Sequence, residues 1–508
     1  MRKILLAASL VCGFVSMSNA EQAATVTQAD LKAIVERLNR LEAENKAQAK
    51  RIADLESQNR ALLGGASSSK GESEHEGTQS EATPVARATD EGTQVSDSGR
   101  LYETKSGRKY YLADATANIF EPLSQAGLRL TPYGYIVFEG VYSSRPLAND
   151  WSADFVKAKG RANNTTLSVQ DSIMGVKFET PEADHGWTFS GRAEFDLAGS
   201  NQNSYDFHWR HLYVDAAHES GWSILFGQTW HLWKIVSPSE IDGAWLENAG
   251  HPYRRSPQLR VTKKWAWEKS SLEARVGIVK GGPGMGGDRD NNGVQDNTDS
   301  AWALFEGALV YDREAAWQSD ARRWTVGVGG MYGRDRSQRY NGRGYFGACS
   351  DDYDSMMALF ALSLPLGDLT FTGQIFGGQN LGGVQAGCGQ TVVYHPQGDA
   401  YVKGRGVRTV GGFADLAYRL NDTWSFAIGY GFDNPIDRDV KGGVNAGGIL
   451  FNFNDRAYIA AFYRITSNFR LGLEYARLMT RYDERAHGTP QAADYDADRV
   501  QFSAFYDF

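Results

Sequence analysis

The chain closes on Arg499-Val-Gln-Phe-Ser-Ala-Phe-Tyr-Asp-Phe508, and this stretch decides the fold. Val500, Phe502, Ala504, Tyr506 and Phe508 occupy one parity, with Arg499, Gln501, Ser503 and Asp507 between them. A strand of period two turns one face to an apolar medium and the other to water. Such a strand fits a barrel whose outside meets lipid and whose inside holds water.

The same alternation recurs upstream. Trp187, Phe189, Gly191, Ala193, Phe195 and Leu197 interleave with Ser190, Arg192, Glu194 and Asp196. Trp424, Phe426, Ile428 and Tyr430 interleave with Ser425, Ala427 and Gly429, and Phe469, Leu471, Leu473 and Tyr475 with Arg470, Gly472 and Glu474. If the apolar set faces lipid, the other set lines the lumen, and a lumen lined by Arg, Glu, Asp and Ser holds water. A soluble barrel of that size would need the opposite arrangement or a filled core.

From residue 131 to 508 about sixteen antiparallel strands are expected, beginning near Pro132, Thr166, Gly186, Asp206, Gly221, Gln258, Ser270, Ser300, Arg323, Asp354, Asp368, Val407, Trp424, Asn454, Asn468 and Asp498. Short turns, such as Gly367-Asp368, Asn421-Asp422 and Ser467-Asn468, alternate with long loops near 145–165, 232–257, 280–299, 336–353, 377–406, 434–453 and 481–497. Short turns at one end and long loops at the other are the plan of a transmembrane barrel, and an even count puts both barrel ends in the periplasm.

Composition agrees. After residue 20 no apolar run approaches the length of a spanning helix, so any crossing must use strands in a closed barrel. The 56 Gly, 13 Trp, 24 Tyr and 24 Phe suit close strand packing and aromatic belts. A net charge of −8 excludes a generally basic nucleic-acid binder.

The first 130 residues have a different character. Residues 1–20 read as a secretory signal, with Arg2 and Lys3 before an apolar stretch and Ser18-Asn19-Ala20 as a cleavage site. Within 21–63 a heptad runs from Leu31 to Leu62, with Leu31, Leu38, Asn45, Ile52 and Asn59 at a and Ile34, Leu41, Gln48, Leu55 and Leu62 at d. This is the seam of a coiled coil, with a single amphipathic helix packed on another element as the alternative. A helix with so narrow a stripe is unstable alone in water, so it predicts self-assembly. Residues 64–100 form a flexible linker poor in large apolar residues, and 101–130 a pre-barrel collar or plug.

This plan resembles the DcaP-like family of Gram-negative outer-membrane porins. The resemblance rests on the order of signal, coiled coil, linker and barrel, on the C-terminal strand, and on His208-Trp-Arg-His-Leu-Tyr-Val-Asp215 with Gly221-Trp-Ser-Ile-Leu-Phe-Gly-Gln-Thr-Trp230. That strand pair looks like the hairpin before the family's third loop. The resemblance implies a homotrimer, passive diffusion, and small anions such as dicarboxylates as solutes. The Cys349/Cys388 pair and the Gly-Asp-Asn loop at 281–299 depart from it.

A porin selects by width and wall charge. The third outer loop, 232–257, which follows a modest second one at 199–205, carries Lys234, Glu240, Asp242, Glu247, Arg254 and Arg255, and the strands beside it offer Lys177, Arg192, Arg210, Arg260 and Lys264. A basic row in a confined throat is weakly screened and favours anions, and Arg suits carboxylates. The alternative is a balanced set of wall ion pairs, since Glu179, Glu194 and Asp196 are neighbours.

Three further features are open. Cys349 and Cys388 sit in Gly-rich polar segments of an exported chain, which predicts one disulfide. Asp288, Asp290, Asn292, Asp296 and Asp299, with Gly293 at position 6, match the spacing of a Ca²⁺ loop, although no helices flank it and an ordinary surface loop reads as well. His208, His211, His218 and His231 lie scattered over one hairpin and read as interface or lumen residues. No catalytic centre assembles and no cofactor is required. The expectation is therefore an outer-membrane porin with a periplasmic coiled coil, in contact with lipopolysaccharide and, through the coiled coil, with peptidoglycan. The rival is a structural or adhesive protein that uses the barrel as an anchor and the coiled coil as a tether.

Overall fold

The computed structural model describes residues 101–103, 109–111 and 128–508, apart from 150, 159, 161, 181–184, 199–204, 282–301, 317–321, 341–344, 396–399, 401, 445–449 and 484–492. Side chains are described for these residues except 101–111, 337–350 and 493. The expected signal at 1–20, coiled coil at 21–63, linker at 64–100 and Ca²⁺ loop at 288–299 lie outside the described residues.

A two-stranded ribbon, β1 (Leu101–Glu103) with β2 (Lys109–Tyr111), precedes the barrel. The barrel begins with β3 (Arg129–Ser143), β4 (Asn164–Ser168), β5 (Ile173–Glu179), β6 (Trp187–Asp196), β7 (His208–His218) and β8 (Trp222–Trp230). It continues with β9 (Arg255–Ala266), β10 (Ser270–Val279), β11 (Leu304–Glu314), β12 (Arg323–Tyr340), β13 (Tyr345–Leu366) and β14 (Leu369–Gln379). A small ribbon, β15 (Val392–Val393) with β16 (Arg405–Gly406), sits in the next loop. The barrel is completed by β17 (Arg408–Arg419), β18 (Trp424–Pro435), β19 (Phe451–Arg464), β20 (Phe469–Tyr482) and β21 (Ala493–Asp507). Both β4 and β5 pair with β3, so they act as one strand interrupted at 169–172, and the closed antiparallel barrel has sixteen strands. The Oγ of Ser172 fills the interruption by accepting from the Val137 N–H at 3.0 Å.

Closure runs through the C-terminal strand. β21 pairs with β3 from Arg499↔Ser143 to Asp507↔Tyr135, and Phe508 and Gly134 exchange N–H···O bonds of 3.0 and 3.1 Å. Closure leaves no open sheet edge, which is the condition for a strand structure to sit in lipid. The period-two reading holds at side-chain level. Phe502, Leu473, Ile428 and Ile459 face outward and are exposed, whereas Gln501, Ser503, Glu474 and Arg456 face inward and are buried. Trp222, Trp265, Trp267 and Trp424 lie on the outer surface near the short-turn end, and Tyr332, Tyr430 and Tyr475 towards the long-loop end. These are the amphipathic rings that settle at the two interfaces of a bilayer. Lys263 stretches over the rings of Trp222 and Trp265, at 5.2 and 5.9 Å from their centroids.

Each of the sixteen expected stretches falls on a strand. The expected loop at 336–353 is a correction: β12 runs to Tyr340 and β13 starts at Tyr345, so the hairpin projects as a long arm. Cross-strand pairs Arg334–Asp354 and Arg336–Asp352, both at 2.9 Å, join strands too polar on both faces to read as membrane-spanning. The strand at 206–216 shows aromatics at both parities because it carries a bulge. Glu194 pairs with His211 but Phe195 with Trp209, leaving Arg210 as the extra residue.

The outward face carries one prediction. Ile428→Arg, near mid-height of β18, should lower the unfolding free energy in lipid by about 2–4 kcal/mol. Thr262→Arg, on the lumen face of β9, should change it by less than about 1 kcal/mol. Urea titration of the barrel in vesicles reads both.

Candidate functional site

The site is built by the loop at 231–254, between β8 and β9, which folds into the lumen. Its root is held by Glu306 of β11. That carboxylate accepts from the Leu232 N–H at 3.0 Å and the Trp233 indole N–H at 3.0 Å, and lies 2.5 Å from His231 Nδ1. The other ring nitrogen of His231 meets Ser256 Oγ at 2.9 Å. Trp233 is fully buried against β12, where a side chain in place of Gly329 would bring a Cβ to 2.7 Å of the Trp233 Cβ. The loop needs that missing side chain.

The far end of the loop docks on β17–β21. Arg456 of β19, fully buried, donates to Asp242 at 2.8 Å, to Glu240 at 3.2 Å and to the Ala153 carbonyl at 3.0 Å. Arg499 of β21 lies 3.6 Å from Asp242. Glu474 of β20 accepts from the Ile241 N–H at 2.7 Å, and Asn454 donates to the Asn248 carbonyl at 2.9 Å. Burial disfavours charge on Asp242, yet Arg499 and Arg456 outweigh it and hold the carboxyl below its usual range. Burial dominates at Glu247 and, with Asp154 nearby, pushes it up to about 8. Trp245, Leu246 and Asn248 adopt φ of 45°, 57° and 53°, the left-handed region that bulky residues rarely occupy. Docking must hold this strain, which typically costs about 1–3 kcal/mol per residue.

Two more loops turn inward. In the segment after β3, the Ala153 N–H donates to Asp242 at 2.7 Å and Tyr482 donates to the Val156 carbonyl at 2.6 Å. In the segment after β14, Gln385 donates to Glu247 at 2.6 Å and Gly383 accepts from Arg254 at 2.5 Å. Cys388 is buried in this segment, its N–H donating to Asp433 at 2.8 Å. Its thiol is free, so the expected disulfide with Cys349, whose side chain lies outside the described residues, is not found.

The three loops thus fill the lumen against β17–β21. The half-exposed inward residues lie on the opposite wall, from β5 to β10. There Lys177 and Lys264 are exposed, and Arg192, Arg260, Glu273 and Arg275 partly so. Lys177 and Arg192 lie over the Tyr133 ring at 4.5 and 5.4 Å. Arg210, re-aimed by its bulge, binds Glu194 at 2.8 Å and Asp196 at 2.7 Å. Arg260 donates to the Trp230 carbonyl at 2.6 Å and to Gln258 at 2.8 Å.

Between wall and loop lies the throat. Arg255 sits 4.3 Å over the Trp230 ring, and Lys234 4.9 Å over Trp230 and 5.2 Å over Trp245. Among the described residues neither has a carboxylate within ion-pair distance. Burial, with Arg255 and Arg210 close by, pushes the Lys234 ammonium down to about 8. A cavity of about 190 Å³ at Arg255 is lined also by Gln228, His231, Arg254, Ser256 and Lys280 among others.

The expected wall residues therefore separate into two sets. Lys177, Arg192, Arg210, Arg255, Arg260 and Lys264 share one side, with Arg254 beside them, and Glu194, Asp196 and Glu273 interleave with them, Glu194 lying 3.5 Å from Arg192 and Glu273 2.5 Å from Arg275. Glu240 and Asp242 are buried against the far wall, clamped to Arg456, and do not face that side. The four histidines are dispersed: His208 meets Asp196 at 3.1 Å, His211 meets Thr229 at 2.9 Å, and His218 meets Ser220 at 2.7 Å. Reading by residue type missed Arg456 and Arg499 as clamps. Their one signal was a charge at an inward position of a strand.

No family model and no curated protein matches the chain. Its structure is similar to that of the outer membrane channel DcaP of Acinetobacter baumannii, with a TM-score of 0.57 and 18% identity over 76% of this chain and 98% of that one. Salmonella typhi OmpF in complex with daunomycin matches with a TM-score of 0.45 and 15% identity over 76% of this chain and 99% of the other. Pseudomonas putida OprB matches at 0.45 and 10% identity over 78% and 98%. The likeness to the DcaP channel shows the fold, a closed barrel of the porin type.

Two outcomes follow from the docking and the throat. Asp242→Ala removes the carboxylate that two buried guanidiniums share, leaving Arg456 with Glu240 and Arg499 with Glu474, and losing one partner of a buried pair costs about 3–5 kcal/mol. The loop should release, seen as larger and noisier single-channel currents. Lys234 is protonated below about pH 8 and loses its charge above it, so any anion preference should fall between pH 7 and 9. Lys234→Gln should flatten that change in the reversal potential.

Proposed function

We propose that the chain is a passive-diffusion porin of the outer membrane that favours small anions, carboxylates among them. The observation that carries the reading is the sorting of charge across the throat. The loop's carboxylates Glu240 and Asp242 are buried against Arg456, away from the basic wall. Arg255 and Lys234 rest on indole faces with no carboxylate at ion-pair distance among the described residues. In a throat walled by low-dielectric protein, such uncompensated charge raises the local concentration of opposite ions. Arg254 and Arg255 add the forked donor geometry that fits a carboxylate. The heptad between Leu31 and Leu62 supports a trimer with its coiled coil in the periplasm, where it could reach peptidoglycan, while the apolar outer face meets lipid and lipopolysaccharide.

Planar bilayers test the reading. The expected record shows openings in triplets and a reversal potential on the anion side under a KCl gradient. Arg255→Gln combined with Lys234→Gln should lower the chloride-to-potassium permeability ratio severalfold, roughly what about 1 kcal/mol of lost attraction corresponds to. Cation selectivity in the unaltered protein would contradict the preference. An absence of conductance would favour the anchor reading.

A further inference from the structure

Trp230 ends β8 where the inward loop begins. Its ring is the meeting point of the throat. The Arg255 guanidinium lies 4.3 Å from its centroid and the Lys234 ammonium 4.9 Å. Tyr253 and His211 meet it edge-on at 5.8 and 5.5 Å, and Trp245 lies tilted at 5.7 Å. The Nη1 of Arg255 is buried without a hydrogen-bond partner. The wall a few residues away is built differently: Arg210 is matched by Glu194 and Asp196.

The two ways of holding a cation differ in what they leave behind. A carboxylate fixes a guanidinium and cancels its charge. The face of an indole attracts a cation through the negative side of its quadrupole and leaves the full charge in place. It also orders the long, flexible Lys and Arg stems by packing along them. We infer that Trp230 is the positioning residue that sets the ion preference of the throat, by holding Arg255 and Lys234 in the solute path without neutralising them. The inference deepens the proposed anion preference and rests on it. If Trp230 were only a spacer, any apolar side chain of similar bulk would serve.

The test uses the full chain in planar bilayers, with potassium chloride as the probe and reversal potential as the readout. Heat-modifiable migration on gels checks that each barrel is folded. Trp230→Phe keeps an aromatic face and should retain most of the chloride-to-potassium permeability ratio. Trp230→Leu and Trp230→Met should lower it by roughly two- to fivefold, the scale of one lost cation–ring contact. Trifluorophenylalanine incorporated at position 230 preserves ring size but weakens the negative face, and should fall below Trp230→Phe. This comparison decides the matter even if the aliphatic variants do not fold. A ratio unchanged in the Leu or Met variant, or equal for phenylalanine and its fluorinated form, would overturn the inference and leave the anion reading standing. An unaltered protein with no anion preference would remove both.

Discussion

The lumen depends on one buried contact, the grip of Arg456 on Asp242 and Glu240. A barrel of this circumference encloses more space than its own side chains fill. What occupies that space is an inward loop, and a loop at membrane depth is tolerated only where its backbone is satisfied by protein or water. The guanidinium supplies that anchorage with two carboxylates and a carbonyl, and Arg499 adds a second cation against Asp242. Such a buried pair adds little net stability over an apolar contact of equal volume. Its use here is to fix a loop that includes three residues in left-handed backbone.

The grip also decides where charge is found. Because the loop's acids are drawn to the far wall, Glu240 and Asp242 pair with Arg456 and Arg499 there and not with the basic residues of β5–β10. The root performs the matching task on the near side. Glu306 takes hydrogen bonds from Leu232 and Trp233 and contacts His231, which fixes its carboxylate at the root of the loop, beyond ion-pair distance of Arg255 and Lys234. Fold and electrostatics are therefore set by the same few contacts, and the loop cannot swing without redistributing the field.

Much of the barrel was legible in the sequence because the signal is local. Alternation such as Leu471, Leu473 and Tyr475 against Gly472 and Glu474 reports its face without knowledge of any partner strand. The same rule assigned Arg192 and Arg260 inward correctly. It left the facing undecided where an extra residue shifts the parity, as at Arg210, and it failed where both faces are wet, as in the arm of β12 and β13. The site was less legible. Glu240 and Asp242 look like pore residues because they sit on the third loop beside basic strands. Their true partners, Arg456 and Arg499, lie more than two hundred positions away, and only the closed barrel brings them together. The inward turn of the segment after β14 depends likewise on distant pairs, Arg254 with the Gly383 carbonyl and Gln385 with Glu247.

The arm formed by β12 and β13 has a consequence of its own. Its paired Arg and Asp residues face outward beyond Tyr332, above the height at which the aromatic ring ends the greasy belt. A ribbon stiffened by regular pairing bends far less than a free loop of equal length. Its inner side packs on the ribbon of β15 and β16, where Tyr353 is buried with Val392 and Tyr394 and its hydroxyl accepts from the Gly404 N–H at 3.1 Å, so the arm and the segment after β14 hold each other in place.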